Sequence, residues 1–85
     1  MARYRIEVKR SAEKELRKLP KADLIRILTQ IEALADDPRP NGSIKLTNQE
    51  NYRVRVGKYR VLYSIEDDIL TVYVVKVGHR KDVYR

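Results

Sequence analysis

Tyr52-Arg53-Val54-Arg55-Val56-Gly57-Lys58-Tyr59-Arg60-Val61-Leu62-Tyr63 reads as two alternating strands joined by a two-residue turn at Gly57-Lys58. With that turn, Val56 pairs with Tyr59 and Arg55 lies directly opposite Arg60. Like charges set opposite each other destabilise a sheet, so folding alone gives no reason for the pair. A polyanion bound there would supply one.

The rest of the chain extends this frame. From Ile44 onward the period is two, and residues 51–56, 59–66 and 69–77 read as three antiparallel strands. Asp67-Asp68 reads as the second turn. That spacing predicts Val54, Val61 and Val74 on one face, in line with Tyr52, Tyr63 and Val72. Arg53, Arg55, Arg60, Leu62, Tyr73 and Val75 fall on the other. Upstream, residues 2–8 alternate with Tyr4, Ile6 and Val8 on one side, as in a half-buried strand. Ser11 is a candidate helix cap, and Ala12, Leu16 and Leu19 keep helical spacing until Pro20. A second helix from about Ala22 carries Leu24, Ile27, Leu28, Ile31, Leu34 and Ala35 as its apolar stripe. Asp36, Asp37, Pro38, Pro40 and Gly42 end it. The predicted fold is one α+β domain over 1–85, a two-helix hairpin on one face of a four-stranded sheet, with the other face largely open.

Composition narrows the function. The 85 residues carry 19 Lys and Arg against 12 Asp and Glu, a formal charge of +7. That balance suits nucleic acid, ribosomes or an acidic protein partner. The chain has no Cys, Phe or Trp, so disulfides and thiolate metal sites are excluded, and tyrosines supply the large core side chains. No apolar run reaches spanning length and no signal-peptide core is present, so a cytoplasmic protein without membrane attachment is expected.

Arg53, Arg55 and Arg60 on one face, with Arg80 just past the last strand, form a candidate phosphate clamp, because guanidinium forks match phosphate oxygens. Lys45 and Lys58 are further candidate phosphate contacts. His79 is the single histidine, and an imidazole titrating near neutrality can accept a proton. The Tyr84 phenol can stack on a base or orient a ribose. The chain holds no P-loop, no GxGxxG and no metal-ligand spacing, so no cofactor is expected. Cleavage of RNA needs none, since the 2′-hydroxyl attacks its own phosphate and cations stabilise the developing charge. DNA lacks that nucleophile.

The order and spacing of Ser11-Ala12-Glu13-Lys14-Glu15-Leu16, Ile44-Lys45-Leu46, the arginine hairpin and Val77-Gly78-His79-Arg80-Lys81-Asp82-Val83-Tyr84 resemble the RelE/ParE superfamily of bacterial toxins. The resemblance covers essentially the whole chain and is strongest to RelE-type mRNA endonucleases. It implies a toxin that cuts mRNA in the ribosomal A site by 2′-hydroxyl attack, blocks translation, and is neutralised by a cognate antitoxin in a hetero-oligomer. It further implies that Arg60 and Arg80 stabilise the transition state and that Tyr84 orients the substrate. Lysines often stand in that family where this chain has Arg53 and Arg55, one of them proposed as general base. A guanidinium is a poor base, so either His79 takes that part or electrostatics carry the rate. Because the sequence stops at Arg85, the family's C-terminal helix is expected to be reduced in this chain. The alternative within the same fold is a ParE-like toxin that binds DNA gyrase and leaves RNA intact. A basic RNA-binding module without catalysis is the third reading.

Overall fold

The computed structural model describes residues 3–47 and 50–79. Strand β1 (Arg5–Val8) leads into helices α1 (Arg10–Arg17) and α2 (Lys21–Ala33). Strands β2 (Ile44–Lys45), β3 (Asn51–Val56), β4 (Tyr59–Glu66) and β5 (Thr71–His79) follow. They form one sheet in the order β1-β5-β4-β3-β2. Helix α1 buries Ala12 and Leu16, one turn apart, and its early Glu13 pairs with the late Arg17, an arrangement that also suits the helix dipole. It begins one residue before Ser11, with no side-chain cap bond, so Ser11 is a first-turn residue rather than the cap. Pro20 starts α2 from outside, where its missing N–H is harmless.

The sheet departs from the sequence expectation in three ways. It has five strands rather than four, because Ile44–Lys45 pairs with Arg53 and Tyr52. It is mixed, because β1 runs parallel to β5, with Arg5 opposite Thr71 and Val8 opposite Val74. The third departure is the register of β5. The β4–β5 connection is a single turn of 3₁₀ helix at Asp67–Ile69 followed by Leu70 at φ 48°. Glu66 therefore pairs with Thr71, and Tyr63 with Val74. A bulge then intervenes between Leu62 and Tyr63, so that Leu62 pairs with Lys76 and Val61 with Val77. An extra residue in one strand reverses its inside–outside alternation from that point on. Val72, Val74 and Val77 are consequently all buried, although two are even-numbered and one odd.

The β3–β4 hairpin forms in the expected register, with Val56 opposite Tyr59 and Arg55 opposite Arg60. Gly57 sits at φ +60° and leads the two-residue turn, the usual place for glycine in a type II′ hairpin. A Cβ at Gly57 would meet nothing within 4 Å, so only the backbone conformation resists a side chain. Gly57→Ala is expected to destabilise the domain by about 1 kcal/mol in urea unfolding.

The core lies between the helices and the sheet, where Ile27, Leu34, Val61, Tyr63, Val72, Val74 and Val77 are fully buried. Leu28, counted in the apolar stripe, is instead 45% exposed beside Ile25 at 53%. The opposite sheet face is closed at its centre rather than open. Leu62 and Arg53 face each other across β3–β4 and are each 6% exposed. Ile44 from the unforeseen β2 and Lys76 from the shifted β5 flank them in register.

At the sheet end away from the Gly57 turn, a polar knot ties the α2–β2 loop down. Tyr4 donates its hydroxyl hydrogen to Asp67 at 2.7 Å, and Arg39 donates to the same carboxylate at 3.0 and 3.4 Å. Arg39 also donates to the Tyr52 hydroxyl at 3.2 Å, with its guanidinium carbon 5.4 Å from the Tyr52 ring centroid. The hydrogen bonds from Arg39 and then Tyr4 hold the Asp67 carboxyl below the usual carboxylate range. A carboxylate depressed in the folded state stabilises above its unfolded pKa, near 4, and loses that contribution as pH falls through the folded value. The stability gap between wild type and Asp67→Asn is therefore expected to be present at neutral pH and to shrink below about pH 4 in pH-dependent unfolding.

Candidate nucleic-acid interface

Two rows of side chains run across the sheet on the face turned away from the helices. The outer row is Arg55, Arg60 and Gly78, each opposite the next. Directly opposed residues in an antiparallel pair sit about 5 Å apart at Cβ, so the two guanidinium stems are close neighbours. Gly78, third in the row, has no side chain. The inner row is Ile44, Arg53, Leu62 and Lys76. Neither row contains an acid, and among the described residues Arg53 and Arg55 form no ion pair. Arg53 is the most constrained of the set. Its Nε is buried with no hydrogen-bond partner among the described residues, and an unmet buried donor costs about 1–3 kcal/mol. It also lines a cleft of about 370 Å³ with Arg55, Ile44, Gln30 and Asn41, at the edge of β3 that short β2 leaves uncovered.

Two forked cations on adjacent strands, Arg55 and Arg60, are of the kind that can match the oxygens of a phosphodiester. Lys58 extends this surface at the exposed hairpin tip. Lys76 joins it through the bulge and was missed by parity counting. A lysine at an apparent core position, two after Val74, was the available signal.

Other sequence candidates lie elsewhere. Lys45 pairs with Tyr52 and so shares the helix-side face, with its ammonium 4.0 Å from Glu50. His79 pairs with Tyr59, and their rings meet edge-on at 5.9 Å and 74°. Tyr59 packs against the core and donates its hydroxyl hydrogen to Asp23 of α2 at 3.3 Å. The imidazole therefore lies on the helix side, across the sheet from Arg55 and Arg60. Burial, then Asp23, raises the Tyr59 phenol pKa, which keeps it a donor. Arg80 and Tyr84 lie outside the described residues. Among the described residues, no three His, Cys, Asp or Glu side chains group as a metal site, and no helix is long and apolar enough to cross a membrane.

Known proteins resemble the chain over nearly its full length. Residues 6–84 match the family model described as the ParE toxin of type II toxin–antitoxin systems, parDE. The toxin RelG of Mycobacterium tuberculosis is 31% identical over 84 residues, covering 96% of this chain and 97% of RelG. Among solved structures, the toxin–antitoxin complex RelBE2 of M. tuberculosis contains a chain that superposes with TM-score 0.84 at 29% identity, covering 96% of this chain and 97% of its own. A chain of the archaeal RelE–RelB complex from Pyrococcus horikoshii superposes with TM-score 0.79 at 29% identity, covering 94% and 98%. The isolated E. coli RelE toxin superposes with TM-score 0.80 at 27% identity, covering 95% and 90%. A match of this extent to the family model, joined to relatives and folds of the RelE type, makes the chain a member of the RelE/ParE superfamily of toxin–antitoxin toxins.

Proposed function

We propose that this chain is a ribosome-dependent mRNA endonuclease toxin, acting in the cytoplasm on mRNA in the ribosomal A site and neutralised by a cognate antitoxin. The observation that carries this reading is the Arg55–Arg60 pair, opposed across strands with no acid in its row. Two guanidinium groups set opposite each other on adjacent strands suit a phosphate seat. Relatives named RelE and RelG, and solved complexes of RelE with RelB, support the toxin and antitoxin parts.

In the reaction the ribose 2′-oxygen attacks the adjacent phosphorus and the bond from phosphorus to the 5′-oxygen breaks. The products are a 2′,3′-cyclic phosphate and a 5′-hydroxyl. The 2′-hydroxyl proton passes to water and the leaving 5′-oxygen takes one up. Arg60 and Arg80 stabilise the charge on the phosphoryl oxygens, Arg55 and Lys58 hold the flanking backbone, and Tyr84 orients the ribose. Fixed cations supply the catalysis, so the poor basicity of Arg53 and Arg55 is no obstacle. The ParE label of the matching family model favours a second reading, a toxin that binds DNA gyrase and leaves RNA uncut.

Purified toxin added to ribosomes programmed with end-labelled mRNA separates the two. The expected result is cleavage at the A-site codon with cyclic or 3′-phosphate ends. Uncut message at stoichiometric toxin would reject the nuclease.

A further inference from the structure

We infer that His79 is a positioning residue, packed edge-on against a Tyr59 that bonds Asp23, so that the end of β5 is fixed behind the arginine row, and that it takes no proton in cleavage. The inference deepens the nuclease reading and rests on it.

The end of β5 needs such a device. Strand β1 stops at Val8, and its last link to β5 is the Lys9 amide donating to the Val74 carbonyl at 2.8 Å. Among the described residues, the only strand beside β5 beyond Val74 is β4. Helix α1 does not fill the space left by β1. A cleft of about 460 Å³ opens there, lined by Lys9, Ser11, Glu15, Lys76 and His79. Strand ends with few buried contacts open most readily. Gly78 contributes no side chain, so the last ring in the strand is His79 packed on Tyr59. Tyr59 is in turn tied to α2 through Asp23. Three elements thus meet at the pair directly next to Arg60 and Gly78.

Geometry separates this role from proton transfer. A general base must come within about 3 Å of the 2′-hydroxyl, and that hydroxyl must itself be in attacking distance of the phosphate held by the arginines. The imidazole occupies the other face of the sheet, with Tyr59.

Substitutions that keep the ring but remove its nitrogens test the distinction. Single-turnover cleavage on programmed ribosomes is compared for wild type, Arg60→Ala, His79→Ala, His79→Phe, Tyr59→Phe and Tyr59→Phe/His79→Ala, with thermal melts of each. His79→Ala is expected to slow cleavage roughly tenfold through misplacement, and His79→Phe to recover most of the rate by keeping an aromatic pair. Tyr59→Phe, which loses the Asp23 bond, is expected to slow the wild type but not the His79→Ala variant further. If His79→Phe folds normally yet is as slow as His79→Ala, the nitrogen is required and the inference is overturned. Fully additive effects of Tyr59 and His79, or a wild-type rate in His79→Ala, overturn it as well. In those cases Arg60-dependent cleavage would still stand. Wild type that cuts nothing overturns the inference together with the nuclease reading.

Discussion

Arg60→Ala is expected to lower A-site cleavage by roughly 10²–10³-fold, the usual loss when one preorganised charge-stabilising donor is removed. Its stability is expected to stay within about 1 kcal/mol of wild type, well short of the loss a core substitution brings. A residue that supplies activity but little stability is in a site; one that supplies both is in the scaffold. Single-turnover cleavage and urea unfolding on the same protein preparation check both halves. Lys45→Ala is the matched control, because Lys45 carries the same charge on the helix-side face and should leave cleavage near wild type. An inactive Arg60→Ala that has also lost several kcal/mol of stability would assign Arg60 to the scaffold instead.

The largest expected loss of stability belongs to Tyr63. Its side chain is fully buried, stacks on Tyr52 at 5.9 Å, and donates its hydroxyl hydrogen to the Pro38 carbonyl at 2.7 Å. Burial pushes its phenol up to about 12, so it remains a neutral donor throughout the physiological range. Truncating a buried aromatic to alanine costs about 3–5 kcal/mol, against about 4–13 kcal/mol of total stability for a domain of this length. Tyr63→Ala should therefore be partly unfolded at 37 °C and non-toxic for that reason. Tyr63→Phe keeps the ring and loses one hydrogen bond, about 1 kcal/mol, with the Pro38 carbonyl left to find water. Urea unfolding midpoints of the two variants, with unchanged slope, measure the difference.

These expectations depend on a fold that was partly readable in advance. The β3–β4 hairpin was legible because alternating strands flank a two-residue Gly57-Lys58 turn, which leaves one register. That register places Arg55 opposite Arg60 on sequence alone. Strand β5 was less legible, since Asp67-Asp68 suggests a tight turn where the chain makes a 3₁₀ turn and a left-handed Leu70. The bulge then reverses the parity of everything beyond it. One extra residue explains why Val77 is in the core, why Lys76 joins the arginine face, and why His79 leaves it. The parallel partner of β1 was beyond reach for another reason. Alternation marks a strand and its buried side but carries no information about its neighbour or direction. Strand β2, at two residues, is too short for any periodicity to appear.

The most direct test of the nuclease reading is primer extension on a reporter mRNA isolated shortly after toxin induction in growing cells. Discrete cuts inside the reading frame are expected, absent when the start codon is removed so that the message is not translated. Intact reporter mRNA in cells whose growth has already stopped would contradict the nuclease and turn attention to DNA gyrase.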